Sequence, residues 1–467
     1  MTKTAASRAS EPIRRPRRLL IGRARLSLWL GMLENGRAAA LGLFRRRGER
    51  RGSGVSAVPC RRGWFGPIDS PPTMQSARTE PETIRVVIAQ PALPKYRIPV
   101  FRELASRQGI ELTVTYGSDK HLENTQAEGF TATPVRQRMI GRGRLHFLWD
   151  GSAIRNADPE RADVLVLGWN TRSLSLPIAA KKARKRGLGV VLWGHGFSKS
   201  EAGWRRRLRD KVGVLADSVM FYNRAAAARF GEVSGRSDDV FVALNTLDMR
   251  PIREAAAWWR ERPDELEAFK AKHGIKGPMV LFVSRLLEDN KIDMLFEAAA
   301  RLGGELPELK VAVVGGGPDR ERLERRAEEL GVAERVLMPG PVYEERELAA
   351  WFLASSAFCY PVNIGLSILH AMAYALPVVT SDDIPSHNPE IEALKDGENG
   401  LLYADGSVDD MAAKLKTVIA DPELRARLGR EAERTALEEF TLKRMVDGME
   451  SAIRLAWEKA GDRRSGD

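Results

Sequence analysis

The run Phe358–Ser381, FCYPVNIGLSILHAMAYALPVVTS, decides the fold. It opens on the end of a strand-like segment, Ala357–Tyr360. A Pro-Val-Asn-Ile-Gly loop follows, then helical spacing from about Leu366 to Tyr374. Pro377 ends that spacing, and Val378-Val379-Thr380 reads as a second buried strand. Strand, helix and strand in that order make a βαβ unit. Gly365, just before the helix, leaves backbone N–H groups open to whatever binds there. The helix dipole favours an anion at that end by about 0.3–1 kcal/mol, and by up to about 2 when partly buried. Ser367, His370 and Tyr374 share one helical face, so a polar stripe lies near the anion end. The plainer alternative is an ordinary βαβ turn carrying a helix serine.

The same alternation extends in both directions. Upstream, Met279–Val283, Leu309–Val314 and Val336–Pro339 read as strands, separated by helical runs at Ile292–Leu302, Asp319–Leu330 and Glu344–Leu353. Downstream come a strand at Gly400–Tyr403, a helix at Val408–Ala420 and a nearly all-helical end, Pro422–Ala460. An earlier series repeats the pattern with strands beginning at Ile84, Ile110, Ala162, Gly189, Asp217 and Asp239. Gly117–Gly151 reads as loop-rich. Short apolar strands alternating with helices predict an α/β fold of two tandem, doubly wound parallel sheets. The expected domains are residues 83–250 and 277–435, joined by a linker at 251–276. Residues 436–467 form a final helix that turns back to the first domain. Ligands of such sheets sit at the carboxyl ends of the strands, and two facing domains make a cleft.

The net charge of +12 does not describe the globular part. Residues 1–73 hold 16 Lys and Arg against 4 Asp and Glu, which is the whole excess. Charge therefore argues against nucleic acid as a partner. Within residues 1–82, the apolar segment Leu26–Phe44 is interrupted by Glu34, Asn35 and Arg37, too broken for a membrane span. Two readings of this tail stand: a disordered segment, which is preferred, or a basic amphipathic arm touching anionic lipid. Cys60 and Cys359 provide neither a disulfide framework nor a metal spacing.

Several motifs surround the opening stretch. Arg285 and Lys291 flank the turn SRLLEDNK, and two cations beside a helix start suit a diphosphate. Gly315-Gly316-Gly317-Pro318 follows a strand, where glycine lets a phosphate or base approach the backbone; a tight strand–helix turn explains it equally well. His195 ends a buried strand between two glycines, able to face a cleft or to be a structural histidine. Asn245 and Asp248 read as turn caps, and Glu390 as an acid favoured at a helix start.

Together these residues resemble the retaining glycosyltransferases of family 4, which have the GT-B fold. The resemblance is clear from Met279 to Tyr403 and extends upstream to Ile84. That family carries the motif E-G-F-G-x-x-x-x-E-A-M-A-x-G-x-P-V-V, where this chain reads VNIGLSILHAMAYALPVV from Val362 to Val379. The two glutamates fall on Val362 and His370, and the second glycine on Ala375. The resemblance implies an acceptor-binding first domain and a nucleotide-sugar-binding second domain. Its donor is a nucleotide-diphosphate sugar, and its acceptor a glycan or lipid-linked saccharide at the cytoplasmic membrane face. It implies no cofactor and no metal. Carried over residue by residue, it assigns His195, Arg285 and Lys291 to catalysis. Donor contacts fall to Gly316, Gly317, Asn363, Gly365, Leu366, Ser367 and His370, with His387 and Asn388 available to the sugar. Lys95, Tyr96 and Arg97 of the PKYR loop are expected to hold the acceptor, including one bearing phosphate. Ala375 implies either a negative φ or a tolerated strain of about 1 kcal/mol. A binding protein that has lost catalysis and a GT-B epimerase are the alternative functions.

Overall fold

The computed structural model describes residues 83–119, 122–142, 145–196 and 209–466, so the basic tail at 1–82 lies outside the described residues. The first half contains β1 (Ile84–Gln90), β2 (Ile110–Tyr116), β3 (Thr131–Pro134), β4 (Gln137–Arg142), β5 (Leu145–Asp150), β6 (Val164–Gly168), β7 (Gly189–Gly194), β8 (Ser218–Phe221) and β9 (Val240–Val242). Seven of these form one parallel sheet in the order β3-β2-β1-β6-β7-β8-β9. The central strands β6, β7 and β8 are apolar almost throughout because both faces are covered.

The loop-rich reading of Gly117–Gly151 is corrected here. It contains the edge strand β3 and an antiparallel hairpin of β4 and β5. Their short, arginine-containing sequences lack the apolar runs that mark the buried strands. Gly117–Gly151 thus forms the sheet edge and one lip of the cleft.

The second sheet contains β10 (Met279–Val283), β11 (Lys310–Val314), β12 (Val336–Gly340), β13 (Ala357–Tyr360), β14 (Val378–Ser381) and β15 (Gly400–Tyr403). Its order is β12-β11-β10-β13-β14-β15 and every pair is parallel. Order reverses direction beside β10 and β13, and the two loops that leave those strands carry Arg285 and Gly365. Such a switch point opens a crevice at the strand ends.

Residues read as a linker are helical. Helices Met249–Arg260 and Pro263–Lys272 bury Ile252, Ala255 and Ala256 in the core of the second sheet. Asp248 caps the first of them by accepting from the Arg250 N–H. Trp259 donates its indole N–H to the Arg346 carbonyl at 2.7 Å.

The last helix, Leu442–Ser465, lies against β7, β8 and β9 of the first sheet. Met445, Val446, Met449, Ala452, Ile453 and Ala456 complete one face of that sheet's core. Ser218 donates to the Ala452 carbonyl at 2.7 Å, and the buried Asp217 carboxylate pairs with Arg463. The chain end therefore turns back to the first sheet, carrying the second sheet's last connection with it.

Ala375 follows the helix Ser367–Ala373 at φ +56. The strained option is the one adopted. Its N–H donates to the Met372 carbonyl, and Leu376 N–H to the Ala371 carbonyl, the pattern of a left-handed helix cap. Ala375→Gly should stabilise the protein by about 1 kcal/mol, since a Cβ in this region costs about 1–2 and glycine returns part of that as unfolded-state entropy. Thermal unfolding checks this, and an unchanged or lower Tm would contradict it.

Candidate active site

The carboxyl ends of both sheets face a cavity of about 680 Å³. Its first wall comes from the loop after β1, where Lys95–Arg97 form a single 3₁₀ turn, and from the ends of β6 and β7. Tyr96, Arg97, Trp193 and His195 line that wall. Its second wall comes from the loops after β10 and β13, with Ser284, Arg285, Asn290, Asn363, Gly365, Leu366 and Ser367.

An asparagine brace joins those two loops. The buried Asn290 donates from Nδ2 to the Arg285 carbonyl at 2.8 Å and accepts from Asn363 Nδ2 at 3.3 Å. Asn388 Nδ2 donates to the Asn363 carbonyl at 3.1 Å. Lys291 and Asn363 both hold a left-handed backbone, at φ +48 and φ +66. Such conformations in non-glycine residues store strain and gather at ligand sites. Carbonyls of Gly365 and Leu366 accept from Ile368 and Leu369 N–H, which starts the helix Ser367–Ala373. That helix has seven residues, so its dipole is short.

Arg285 lines the cavity as an exposed side chain, whereas Lys291 is exposed just outside the lining. His195 stands beside Tyr222, with ring centroids 4.7 Å apart. The glycine turn is used differently from expectation. A Cβ on Gly317 would lie 2.2 Å from the Leu286 carbonyl oxygen, and one on Gly315 would lie 1.8 Å from that of Ser284. These glycines admit the neighbouring loop's backbone, and Gly316 and Gly317 stay out of the cavity lining. His387 is also structural: Nδ1 accepts from Ile364 N–H at 3.1 Å and Nε2 donates to the Ser381 carbonyl at 2.9 Å.

His370 lies one helical turn beyond Ser367, outside the cavity lining. Its Nε2 meets Glu345 Oε1 at 2.8 Å, and its ring stacks on Phe352. Tyr374 donates to the same carboxylate oxygen at 2.6 Å. The polar face of the helix thus holds a carboxylate delivered by another helix, Glu345–Leu353. Burial raises the Glu345 pKa, but the bonds from His370 and Tyr374 and the charge of Lys95 together bring it below the ordinary carboxylate range. A depressed folded pKa stabilises above the unfolded value and loses that contribution as pH falls through the folded one. Relative to wild type, Glu345→Gln should therefore be less stable at pH 7, with the difference shrinking as pH falls below the ordinary carboxylate range. Denaturant midpoints across that range check this, and a constant difference would contradict it.

The floor joins the two sheets. Asn245 donates from Nδ2 to Glu390 Oε1, and Thr246 donates to the Phe440 carbonyl. Glu392 accepts from Arg224 N–H at 2.7 Å and from its guanidinium at 3.0 Å. Asn245 and Glu390, read from sequence as local caps, are buried beneath the cavity. Their signal is tertiary: 145 residues separate them. Among the described residues, no group of three or more His, Cys, Asp or Glu is arranged to hold a metal ion.

Comparison with known proteins agrees with this architecture. Residues 265–435 match the family described as glycosyl transferases group 1. The chain is similar to the GDP-mannose-dependent alpha-(1-6)-phosphatidylinositol monomannoside mannosyltransferase of Mycolicibacterium smegmatis, 29% identical over 66% of this chain and 76% of that one. It is also similar to the lipopolysaccharide core biosynthesis glycosyltransferase LpsE of Rhizobium meliloti, 31% identical over 36% of this chain and 48% of that one. In fold it resembles the crystal structure of Anabaena Alr3699/HepE in complex with UDP, with a TM-score of 0.61, 16% identity, and coverage of 80% of this chain and 100% of that one.

Proposed function

We propose that this chain, whose residues 265–435 match the glycosyl transferases group 1 family, transfers a sugar from a nucleotide-diphosphate donor to a glycan or lipid-linked saccharide. The observation that carries the proposal is the single cavity in which Arg285, Gly365, Leu366 and Ser367 face Tyr96, Arg97 and His195. Its volume of about 680 Å³ suits a nucleotide sugar.

In this proposal the donor's diphosphate lies between Arg285 and the turn Gly365–Ser367, with Lys291 as a second cation at the rim. When the bond from the anomeric carbon to the diphosphate breaks, negative charge builds on the leaving oxygen. A preplaced guanidinium stabilises that charge more in the transition state than in the ground state. His195 stands near the transferred sugar and the acceptor hydroxyl, where it can donate a hydrogen bond or relay a proton near neutral pH. Retention at the anomeric carbon belongs to this proposal on the strength of the resemblance to the retaining enzymes of family 4. His370 falls at the place of the family's second glutamate but turns to Glu345 outside the cavity lining, so the ribose contacts of this proposal fall to other groups.

The acceptor class is supported by the relatives' names, which specify a phosphatidylinositol mannoside and a lipopolysaccharide core. This proposal has the protein meet such acceptors at the inner face of the cell membrane, as a peripheral enzyme. Among the described residues no helix is long and apolar enough to cross a membrane. Val362, buried where the family has its first glutamate, favours a second reading in which the chain binds nucleotide sugars without transferring them.

Thermal unfolding with UDP, GDP and their sugars tests the donor site. A ligand at 100 times its Kd stabilises by about 2.7 kcal/mol. At least one diphosphate series should raise Tm, and no shift with any of them would contradict the assignment.

A further inference from the structure

The antiparallel hairpin β4–β5 carries a surface that the cleft does not use. Residues 129–149 hold four arginines and no aspartate or glutamate. Of these, Arg136 and Arg138 are exposed. Beside them, Met139 is 58% exposed and Ile140 46%. Large apolar side chains exposed singly are ordinary. Among the described residues, Met139 and Ile140 are the exposed pair adjacent in sequence, and the others stand apart. Arginine on a free strand edge guards against pairing with another strand, but a guard has no use for exposed methionine and isoleucine next to it. Pairing register sets the two faces of the hairpin. Arg138 lies opposite Trp149 and Ile140 opposite Phe147, so these four share one face. Gln137, Leu148 and Asp150 lie on the other face and line the cavity. Met139, opposite Leu148, continues that inner face beyond the cavity lining, so apolar side chains stand on both faces toward the turn.

Apolar side chains set among arginines match the boundary of an anionic bilayer. Phosphate headgroups take the guanidinium groups, while methionine and isoleucine reach the acyl edge beneath them. The half-buried Trp149 and Phe147 add aromatic rings to the same face, and an indole suits that boundary because its body is apolar and its N–H polar. Nucleic acid would take the arginines and leave Met139 and Ile140 in water. A protein partner covers about 20–30 residues on each side, whereas β4 and β5 have six residues each. We propose that the hairpin β4–β5 docks the protein on an anionic lipid surface, with Met139 and Ile140 in the interface and Arg136 and Arg138 against the headgroups. The purpose of this docking rests on the transferase reading of the cleft. The inner face of the hairpin is cavity wall, so contact here sets the cavity mouth at the level of a lipid-linked saccharide.

Co-sedimentation of the full chain with vesicles tests the hairpin. Vesicles of phosphatidylcholine alone, and of phosphatidylcholine and phosphatidylglycerol in equal parts, are compared at low and high salt. The proteins are the wild type, Arg136→Gln with Arg138→Gln, and Met139→Ser with Ile140→Ser. Thermal unfolding of each, alone and with UDP or GDP, shows that the fold and the cleft are kept, and the single substitutions stand in for a pair that is not. The wild type should prefer the anionic vesicles, and salt should weaken its binding. One basic residue near an anionic surface contributes about fivefold in affinity, so the arginine pair should lose about 25-fold on anionic vesicles and keep its weak binding to neutral ones. The apolar pair should lose about tenfold or more on both. Wild-type affinity in both double variants, or no vesicle binding by the wild type, would overturn the lipid contact and leave this face to a protein partner. A diphosphate shift in the same samples would then keep the transferase reading. Vesicle binding that depends on the hairpin, with no shift by either diphosphate, would instead keep the lipid contact and overturn that reading.

Discussion

Arg285→Ala should lower kcat by about 10²–10³-fold, or about 2.7–4 kcal/mol of barrier, the range found when one preorganised stabilising group is removed. The loss should fall on kcat more than on KM, because the charge Arg285 meets is largest as the sugar–phosphate bond breaks. The fold should survive. The side chain is exposed at the end of β10, and Asn290 holds this residue through its carbonyl, which the substitution keeps. Arg285→Lys should fall between the two, since lysine restores charge without the two-pronged grip. Steady-state rates with the donor that binds will show this. A kcat within threefold of wild type in Arg285→Ala would remove Arg285 from the chemistry.

Gly448→Leu should destabilise the protein by about 3 kcal/mol or more. Gly448 lies within the final helix, where even a single Cβ would sit 2.0 Å from the Val242 carbonyl oxygen of β9. Neither backbone can yield locally. Val242 leads directly to Asn245 and Thr246, whose side chains bond Glu390 and the Phe440 carbonyl. Overpacking usually costs about 1–3 kcal/mol, and a clash between two backbones lies at the upper end. Gly189 faces Ala456 in the same way, with a Cβ 2.5 Å from its carbonyl oxygen, so the helix approaches the sheet closely at two points. The effect should reach function, because the helix carries the second sheet's end across to the first. Chemical denaturation gives the stability, and an unchanged midpoint would show that the helix is dispensable to the core.

The parallel sheets were legible because strands covered on both faces must be apolar along their whole length. Val164–Gly168 and Gly189–Gly194 state this directly. The hairpin at 137–150 was not legible, since its strands form a separate two-stranded sheet, joined to the rest by the bridge of Leu148 to Ser173, and carry no buried run. Pro251 and Pro263 made a stretch with charged, helical character read as a linker, although Pro263 sits in the first turn of its helix, where proline is tolerated. In the site, Arg285, Gly365 and Ser367 followed from local rules, because strand ends and helix starts are local features. Glu345 and Glu390 did not. Glu345 reaches His370 from a helix 25 residues away, and Glu390 reaches Asn245 across the cleft. Only the folded chain brings the Glu345 carboxylate to His370 and the Glu390 carboxylate to Asn245. The glycine run shows the opposite case, in which a phosphate-like signature serves backbone packing against Ser284 and Leu286.

Release of nucleoside diphosphate from a nucleotide sugar, with and without a saccharide acceptor, tests the central claim most directly. The full chain is incubated with UDP- and GDP-sugars and a panel of lipid-linked and free glycans, and both diphosphate and glycan products are measured. Transfer in the cleft predicts diphosphate release that an acceptor stimulates, matched mole for mole by an extended glycan and slowed about 10²–10³-fold in Arg285→Ala. Donor binding without release, or an epimerised donor with no extended glycan, would contradict it.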